Sequence, residues 1–276
     1  MSTTPRPEKP AEKPPAPPTT PPATKPHGRG AWPKDGAGGT LSLGGTEPGA
    51  YYVLSDPYSG LPLVGSGGWN STSGDERAVR GGVLAIQRAL NRRGKYGLTA
   101  TGKFDIPTRD AVVEFQRSQD SSRWGGIGQS TAKALFLPDL QSRCKTLKFP
   151  AWEVVCGVVQ NESAWDPGAV GKVKPVDIGL AQINGDAHPD MSERERLSPT
   201  YAFTFIIKYL TNAMKALDGN VDYAIASYNL GITGCRRWIA LGCPEWYTPP
   251  GSVPRNVHAY IARIKDACSE KPPPEV

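Results

Sequence analysis

Glu162 lies at the end of an apolar stretch, within the sequence VVQNESAWDP of residues 158–167. Val158 and Val159 precede it and Trp165 follows it, so its surroundings are expected to be partly apolar. An apolar pocket disfavours a carboxylate and raises its pKa. A carboxylic acid that is protonated near neutral pH can donate its proton to a glycosidic oxygen. The alternative is a solvated glutamate at a helix end, which is the commoner situation for an isolated glutamate.

Asp177 supplies a second carboxylate, 15 residues after Glu162 in the chain. A loop of that length can bring both carboxylates to one cleft, and hydrolysis of a glycosidic bond usually employs two. The alternative is that Asp177 only caps the turn at Gly179. Nearby amides, at Gln182 and Asn184, could contact a polar ligand.

Helical periodicity predicts the elements that position these residues. A helix can begin at Pro150, continue through Val154, Val155, Val158 and Val159, and end near Glu162. Three further apolar stripes predict helices over Phe203–Leu217, Val221–Tyr228 and Val257–Cys268.

Residues 75–138 contain a near-repeat with the pattern G-x-[FI]-[DG]-x-x-T-x-x-A, starting at Gly102 and again at Gly125. Each copy predicts a tight glycine turn and a helix that its threonine, Thr108 or Thr131, caps. An earlier stripe predicts a helix over about residues 80–93 that ends at Gly94. Three short helices predict a small bundle.

The stretch VLAIQRALNRRG, the two repeat copies and Phe115-Gln116 together resemble a peptidoglycan-binding domain of the three-helix type, over roughly residues 80–137. The resemblance implies binding to the peptide stems or the glycan of a bacterial cell wall. One departure is Asp105, where the family usually has glycine, and the second turn lacks the usual preceding aspartate.

Four motifs occur in order in the C-terminal half: NES at 161–163, GLAQIN at 179–184, SYNLG at 227–231, and Tyr260. This set resembles the lytic transglycosylase domain of the goose-type lysozyme superfamily, over roughly residues 148–268. The resemblance implies that Glu162 is the catalytic acid and then the base. It also implies that the glycan cleft is lined by Ser163, Gln182, Tyr228 and Asn229, and that Tyr260 faces the acid.

Two departures from that pattern are Ala181, where the family has Met or another bulky apolar residue, and an insertion over residues 235–256. The D-x-G-L-x-Q-I-N sequence from Asp177 is also similar to animal-type lysozymes, in which that aspartate assists hydrolysis. Two mechanisms therefore remain open: a transglycosylase with Glu162 alone, and a hydrolase with both carboxylates.

Composition bounds the rest of the chain. Ten of the 28 prolines lie in Pro5–Pro26, which predicts a disordered tail over residues 1–35. Residues 36–74 are Gly/Ser-rich and form a few short strands or an extended linker. Residues 75–138 carry 11 Lys/Arg against 6 Asp/Glu, a balance that suits an anionic partner or simply a solvated face.

The five cysteines all follow residue 143, and none forms a CxxC pair. Cys235 and Cys243 could close a disulfide, with reduced cysteines as the alternative, and Cys156 is expected to be a buried free thiol. His188 and His258 are too isolated for a metal cluster, so neither a metal nor another cofactor is expected. No transmembrane stretch and no signal peptide pattern are seen, so no stable membrane insertion is expected.

The combined expectation is a mainly α protein with a tail (1–35), a linker (36–74), a wall-binding module (75–138) and a catalytic domain (145–270). It would cleave the β-1,4 bond between N-acetylmuramic acid and N-acetylglucosamine in bacterial peptidoglycan, as a monomer and without nucleic acid as a partner. A phage endolysin made in the host cytoplasm fits these features best. The alternatives are a virion-associated lysin, a bacterial wall-remodelling enzyme exported by another route, and a non-catalytic wall-binding protein.

Overall fold

The computed structural model describes residues 53–54, 62–63, 76–94, 96–119, 125–171 and 177–269. The tail predicted over residues 1–35 lies outside the described residues, as does most of the segment 36–74. Within that segment, β1 (Val53–Leu54) pairs antiparallel with β2 (Pro62–Leu63), as the short-strand alternative expects.

Three helices form the predicted bundle: α1 (Glu76–Arg93), α2 (Ile106–Ser118) and α3 (Gln129–Thr146). The glycine turns of the near-repeat precede α2 and α3. Gly102 has a φ of 75° and Gly125 a φ of 77°, a region that disfavours residues with a Cβ. A buried glutamine holds each turn: the side-chain oxygen of Gln87 accepts from the Gly102 amide at 2.9 Å, and that of Gln116 accepts from the Gly125 amide at 3.0 Å.

The two repeat threonines do not cap their helices, so that prediction was wrong. The N-cap of α2 is Asp105, whose Oδ1 accepts from the Thr108 amide at 3.0 Å, and α3 begins after Gly128. Thr108 and Thr131 occupy the third helical position and are buried. Their hydroxyl groups accept hydrogen bonds from the glutamine side chains at 2.9 Å and 3.1 Å, because the threonines point into the bundle and not along the helix axis.

Helix α3 continues past residue 138, where the sequence interpretation ended the wall-binding module. Pro138 lies inside the helix, and Leu140 and Cys144 beyond it are fully or almost fully buried. This second half of α3 packs against α6 (Pro199–Ala216). One continuous hydrophobic core therefore extends from Val83 in α1 to the C-terminal helix.

The C-terminal half is helical, as the apolar stripes predict. Helix α4 (Trp152–Ser163) ends at the expected place and packs along α8 (Val257–Ser269). The remaining elements are β3 (Asp177–Ile178), β4 (Ile183–Asn184), α5 (Glu193–Arg196), α7 (Val221–Ala240), β5 (Trp246–Tyr247) and β6 (Arg255–Asn256). Strands β3 and β4 form one antiparallel hairpin, and β5 and β6 form another.

Four of the five cysteines are free thiols in the structure: Cys144, Cys156, Cys235 and Cys243. Cys235 lies on the buried face of α7, and its Sγ contacts the carbonyl oxygen of Tyr223 at 3.3 Å. Cys243 follows the helix end, and its Sγ lies 4.0 Å from the Tyr223 hydroxyl. Cys235 and Cys243 are therefore reduced in the structure and do not form the disulfide that the sequence allowed. None of the described helices combines the length and the apolar character that crossing a membrane requires.

Candidate active site

Glu162 occupies the last turn of α4 and is partly buried. Its Oε1 accepts a hydrogen bond of 2.6 Å from the hydroxyl of Tyr260 on α8 and another of 3.3 Å from Nδ2 of Asn161. Within the described residues, no side chain or backbone group bonds the second oxygen, Oε2.

Asn161 is oriented by a residue of α8. Nε of Arg263 donates to Oδ1 of Asn161 at 3.2 Å, which leaves the Asn161 Nδ2 to donate to Glu162. The Arg263 guanidinium also lies over the Tyr260 ring, 5.9 Å from its centre. Sequence reasoning missed Arg263, although it follows Tyr260 by three residues and so shares a face of α8 with it.

The pKa of the Glu162 carboxyl is raised above its ordinary value. Burial is the main cause, and the negative charge of Asp177 acts in the same direction. Hydrogen bonds from Tyr260 and Asn161 and the charge of Arg263 oppose the rise without cancelling it. Burial and the neighbouring Glu162 raise the pKa of Tyr260 well above its usual range, so this hydroxyl stays protonated and donates.

The backbone after Glu162 turns sharply. Ala164 and Trp165 both have positive φ, 49° and 71°, which is uncommon for residues other than glycine and costs free energy. Ser163 has no exposed surface, and its hydroxyl lies 3.1 Å from the Val159 carbonyl oxygen and 3.0 Å from that of Leu180. The structure thus places Ser163 behind the cleft wall that it was expected to line, where it joins α4 to the β3–β4 hairpin.

The β3–β4 hairpin carries Asp177 at its start. Nδ2 of Asn184, its cross-strand partner, donates to Oδ1 of Asp177 at 2.9 Å. Burial raises the pKa of Asp177, while the Asn184 hydrogen bond and the charge of Arg196 lower it, with a net rise. Gly179 is required in the turn, because a Cβ there would lie 2.3 Å from the Arg196 carbonyl oxygen.

Gln182 also belongs to this hairpin, with a φ of 47°. Its Nε2 donates to the carbonyl oxygens of Gly179 at 3.0 Å and Ala169 at 3.3 Å. The amide nitrogen therefore stabilises the loop itself.

Helix α7 contacts the β3–β4 hairpin through Tyr228 and the β5–β6 hairpin through Asn229. The Tyr228 hydroxyl donates to the carbonyl oxygen of Ala181 at 2.8 Å and thereby ties α7 to the hairpin. Asn229 is held by Arg255 of β6, whose Nη1 donates to both the backbone oxygen and Oδ1 of Asn229, the latter at 3.1 Å. The inserted β5–β6 hairpin is therefore bonded to a residue of the SYNLG motif.

Hydrogen bonds connect these elements, because Tyr260 bonds to Glu162 and Tyr228 bonds to the hairpin that carries Asp177. Burial raises the pKa of Tyr228 well above its usual range, and the charges of Glu162 and Asp177 act in the same direction. Across the described ranges, no three His, Cys, Asp or Glu side chains are grouped so that they could hold a metal ion.

Two family models match the chain. Residues 148–242 match the transglycosylase SLT domain, and residues 79–135 match the putative peptidoglycan binding domain. A comparison with curated proteins finds no match. The chain is thus a modular protein that joins a peptidoglycan-binding domain to a transglycosylase domain. It is a peptidoglycan lytic transglycosylase, and it acts at the cell wall.

Proposed function

We propose that this enzyme cleaves the β-1,4 bond between N-acetylmuramic acid and N-acetylglucosamine, with Glu162 as the acid and then the base. The observation that carries the proposal is the asymmetry of the Glu162 carboxyl. Oε1 receives two hydrogen bonds from the protein, whereas Oε2 faces no described partner. Burial raises the pKa of this carboxyl, which favours the protonated form that a general acid needs.

In the first step, Glu162 donates its proton to the glycosidic oxygen and the bond from that oxygen to C1 of the muramoyl residue breaks. The N-acetylglucosamine hydroxyl leaves, and positive charge develops at C1. In the second step, the Glu162 carboxylate removes the proton from the C6 hydroxyl of the same muramoyl residue as its oxygen attacks C1. The product is a 1,6-anhydro-muramoyl end, and Glu162 regains its proton, so no water is consumed.

Other residues would position these groups. Tyr260 and Asn161 orient the carboxyl through Oε1, and Tyr228 holds the hairpin that forms one cleft wall. We assign Gln182 and Asn229 to the glycan cleft, with part of each amide used in internal bonds. Ser163, which is fully buried, would act only by positioning α4 against the hairpin.

Hydrolysis by two carboxylates is the second candidate, because Asp177 lies close enough to perturb the pKa of Glu162. In that mechanism, Asp177 assists the attack on C1 and water completes the reaction. The products then carry a reducing end and are heavier by one water. The bond from Asn184 fixes Asp177 on the hairpin, which is compatible with this role and with a purely structural one.

The decisive experiment is mass spectrometry of the soluble products from purified peptidoglycan, with two variants. Glu162→Gln should lower cleavage by roughly 10²–10⁴-fold, because the amide cannot donate the proton. Asp177→Asn should keep substantial activity and yield anhydro products if one carboxylate suffices. Reducing-end products together with a nearly inactive Asp177→Asn would establish hydrolysis, and full activity of Glu162→Gln would contradict both mechanisms.

The finer biological role that we propose is lysis of a bacterial host by a phage endolysin. The shared core of a wall-binding module and a lytic domain supports an enzyme that works on intact walls. A virion-associated lysin is the alternative, and a decayed, non-catalytic wall binder is disfavoured by the intact Tyr260–Glu162 pair. Loss of turbidity after addition to cells with permeabilised membranes would test the lytic role, and mass spectrometry of phage particles would detect the virion form.

A further inference from the structure

A groove of about 450 Å³ runs between α1 of the binding module and the α5–α6 region of the catalytic domain. Neither domain forms it alone. Among the described residues that line it, every basic side chain is an arginine and the one acidic side chain is Glu193. The arginines are Arg77, Arg80, Arg88, Arg92 and Arg194.

Four of these arginines come from α1, at spacings that place them along one face of the helix. From Arg77 to Arg92, at about 1.5 Å per residue, the row is about 22 Å long. Gly81, Leu84 and Ala85 lie between them and give the groove an apolar floor. A row of positive charges over such a floor suits an extended anionic chain.

The charges of the groove are only partly balanced by the protein. Arg77 pairs with Glu193 at 3.6 Å, and Arg92 pairs with Asp139 at 2.6 Å. Arg80, Arg88 and Arg194 are exposed and have no ion pair with any side chain that the structure describes. A second hollow of about 280 Å³ shares Arg92 and Thr200 with the groove and continues it.

One residue of the groove, Leu197, also contacts the β3–β4 hairpin that carries Asp177. Leu197 lines the groove and packs with Ala78 of α1 and with Ile178, which follows Asp177 in β3. Helix α1 approaches so closely that a Cβ on Gly81 would lie 2.7 Å from Cδ1 of Leu197. Leu197 therefore connects the wall of the groove to the hairpin that carries Asp177.

We propose that this groove binds the carboxylate groups of the peptide stems on a peptidoglycan strand that the catalytic cleft engages. The inference rests on the proposed function. Arginine binds carboxylates with two parallel hydrogen bonds, which explains why the lining uses arginine throughout. Peptidoglycan is also the anionic polymer that the adjacent cleft must hold. No aromatic side chain lines the groove in the part of the chain that the structure describes, whereas proteins that bind single-stranded nucleic acid stack bases on aromatic residues.

The test uses the full-length chain with Arg80→Gln and Arg88→Gln together. A matched control removes two charges from exposed positions of the same module outside the groove, with Lys103→Gln and Arg117→Gln. Each protein is assayed on sacculi freed of other wall polymers, on walls that retain their phosphodiester polymers, and on stripped glycan. The stripped glycan is made with an amidase, which removes the stems and leaves one lactyl carboxylate on each muramoyl residue. Because the altered side chains are exposed, both variants should melt near the wild-type temperature.

On stem-bearing sacculi at low salt, the groove variant should lose about tenfold in kcat/KM, mainly through KM, as expected for two solvent-exposed ion pairs. The loss should shrink at high salt and be clearly smaller on stripped glycan, which keeps only the lactyl carboxylates, and the control should match wild type on both. An equal loss on both substrates, or none on either, would overturn the proposal. A loss seen only on walls that retain phosphodiester polymers would assign the groove to those polymers. Wild-type inactivity on stripped glycan and sacculi alike would instead contradict the proposed function.

Discussion

Gln87 and Gln116 of the binding module and Glu162 of the catalytic domain are buried or partly buried polar side chains of similar shape. The glutamines use both ends of the amide. Nε2 of Gln87 donates to the Lys103 carbonyl oxygen at 2.9 Å and to the Thr108 hydroxyl at 2.9 Å, and Oε1 accepts from the backbone. Burying a neutral amide costs little free energy when its donors and its acceptor are all hydrogen-bonded. Such an amide also fixes the conformation of the turn around it.

Among the described residues, hydrogen bonds reach only one of the two carboxyl oxygens of Glu162, Oε1. Tyr260 and Asn161 both donate to Oε1, and burial raises the pKa of the group. A buried amide whose donors and acceptors are all hydrogen-bonded thus serves a structural role. A buried carboxyl with one oxygen left without a described partner can instead serve as a proton donor. The difference lies in which atoms remain without a partner, and exchanging the two side-chain types tests this directly.

The largest effect on stability is expected for Gln116→Glu. A carboxylate cannot donate to the Gly126 carbonyl oxygen or the Thr131 hydroxyl, which the amide contacts at 2.9 Å and 3.1 Å. Unfolding free energy at pH 7 should fall by about 3 kcal/mol, because a buried charge faces acceptors. Urea denaturation measures this. The deficit should narrow at acidic pH, where the protonated carboxyl regains one donor.

Gln87→Glu is the matched variant, since it breaks the equivalent bonds in the first repeat. A similar loss in both variants would show that the two repeats stabilise the module alike. If either variant were as stable as wild type at pH 7, the amide would not be needed in its turn. The contrast between a structural amide and the Glu162 carboxyl would then not hold for that repeat.

The local parts of this architecture could be predicted from the sequence. Apolar stripes located α1, α4 and α6, and the motif around Glu162 located the end of α4, because these signals reside within one or two helical turns. The cap of α2 was misassigned, because both Asp105 and Thr108 can cap and only the packed bundle directs Thr108 inward. Helix α3 continues through Pro138, because burial of Leu140 and Cys144 outweighs the local cost of proline.

The contacts that define the acid were harder to predict, because they join distant parts of the chain. The Arg263–Asn161 bond spans 102 residues, and the Arg255–Asn229 bonds reach from the inserted hairpin to α7. Nothing in the spacing of these residues shows that they meet. The buried position of Ser163 likewise depends on the hairpin that covers it.

A smaller effect is expected for Tyr260→Phe, which removes one of the two donors to Oε1 of Glu162. Activity should fall about tenfold, because hydrogen bonds to charged groups contribute about 1.5–3 kcal/mol and Asn161 still orients the carboxyl. Since the Tyr260 bond lowers the pKa of Glu162, its loss should raise that pKa further. The alkaline limb of the pH–rate profile should therefore move to higher pH. A shift to lower pH would mean that another group controls that limb.

The smallest effect concerns the stability of Glu162→Gln. Burial raises the folded-state pKa of Glu162 above its unfolded value. Below the unfolded value of about 4.3 the carboxyl is protonated in both states, so its titration does not lower the free energy of unfolding. As pH rises through the folded pKa, the unfolded chain gains more from ionisation and the wild-type protein loses stability. The glutamine does not titrate. The variant should therefore unfold at a higher temperature than wild type at about pH 8, and the difference should vanish towards about pH 4. Glu114→Gln, at an exposed position, controls for the change in net charge. A variant less stable than wild type across this range would show that the carboxyl stabilises the fold, as the amides of the binding module do, and would remove the distinction between the two regions.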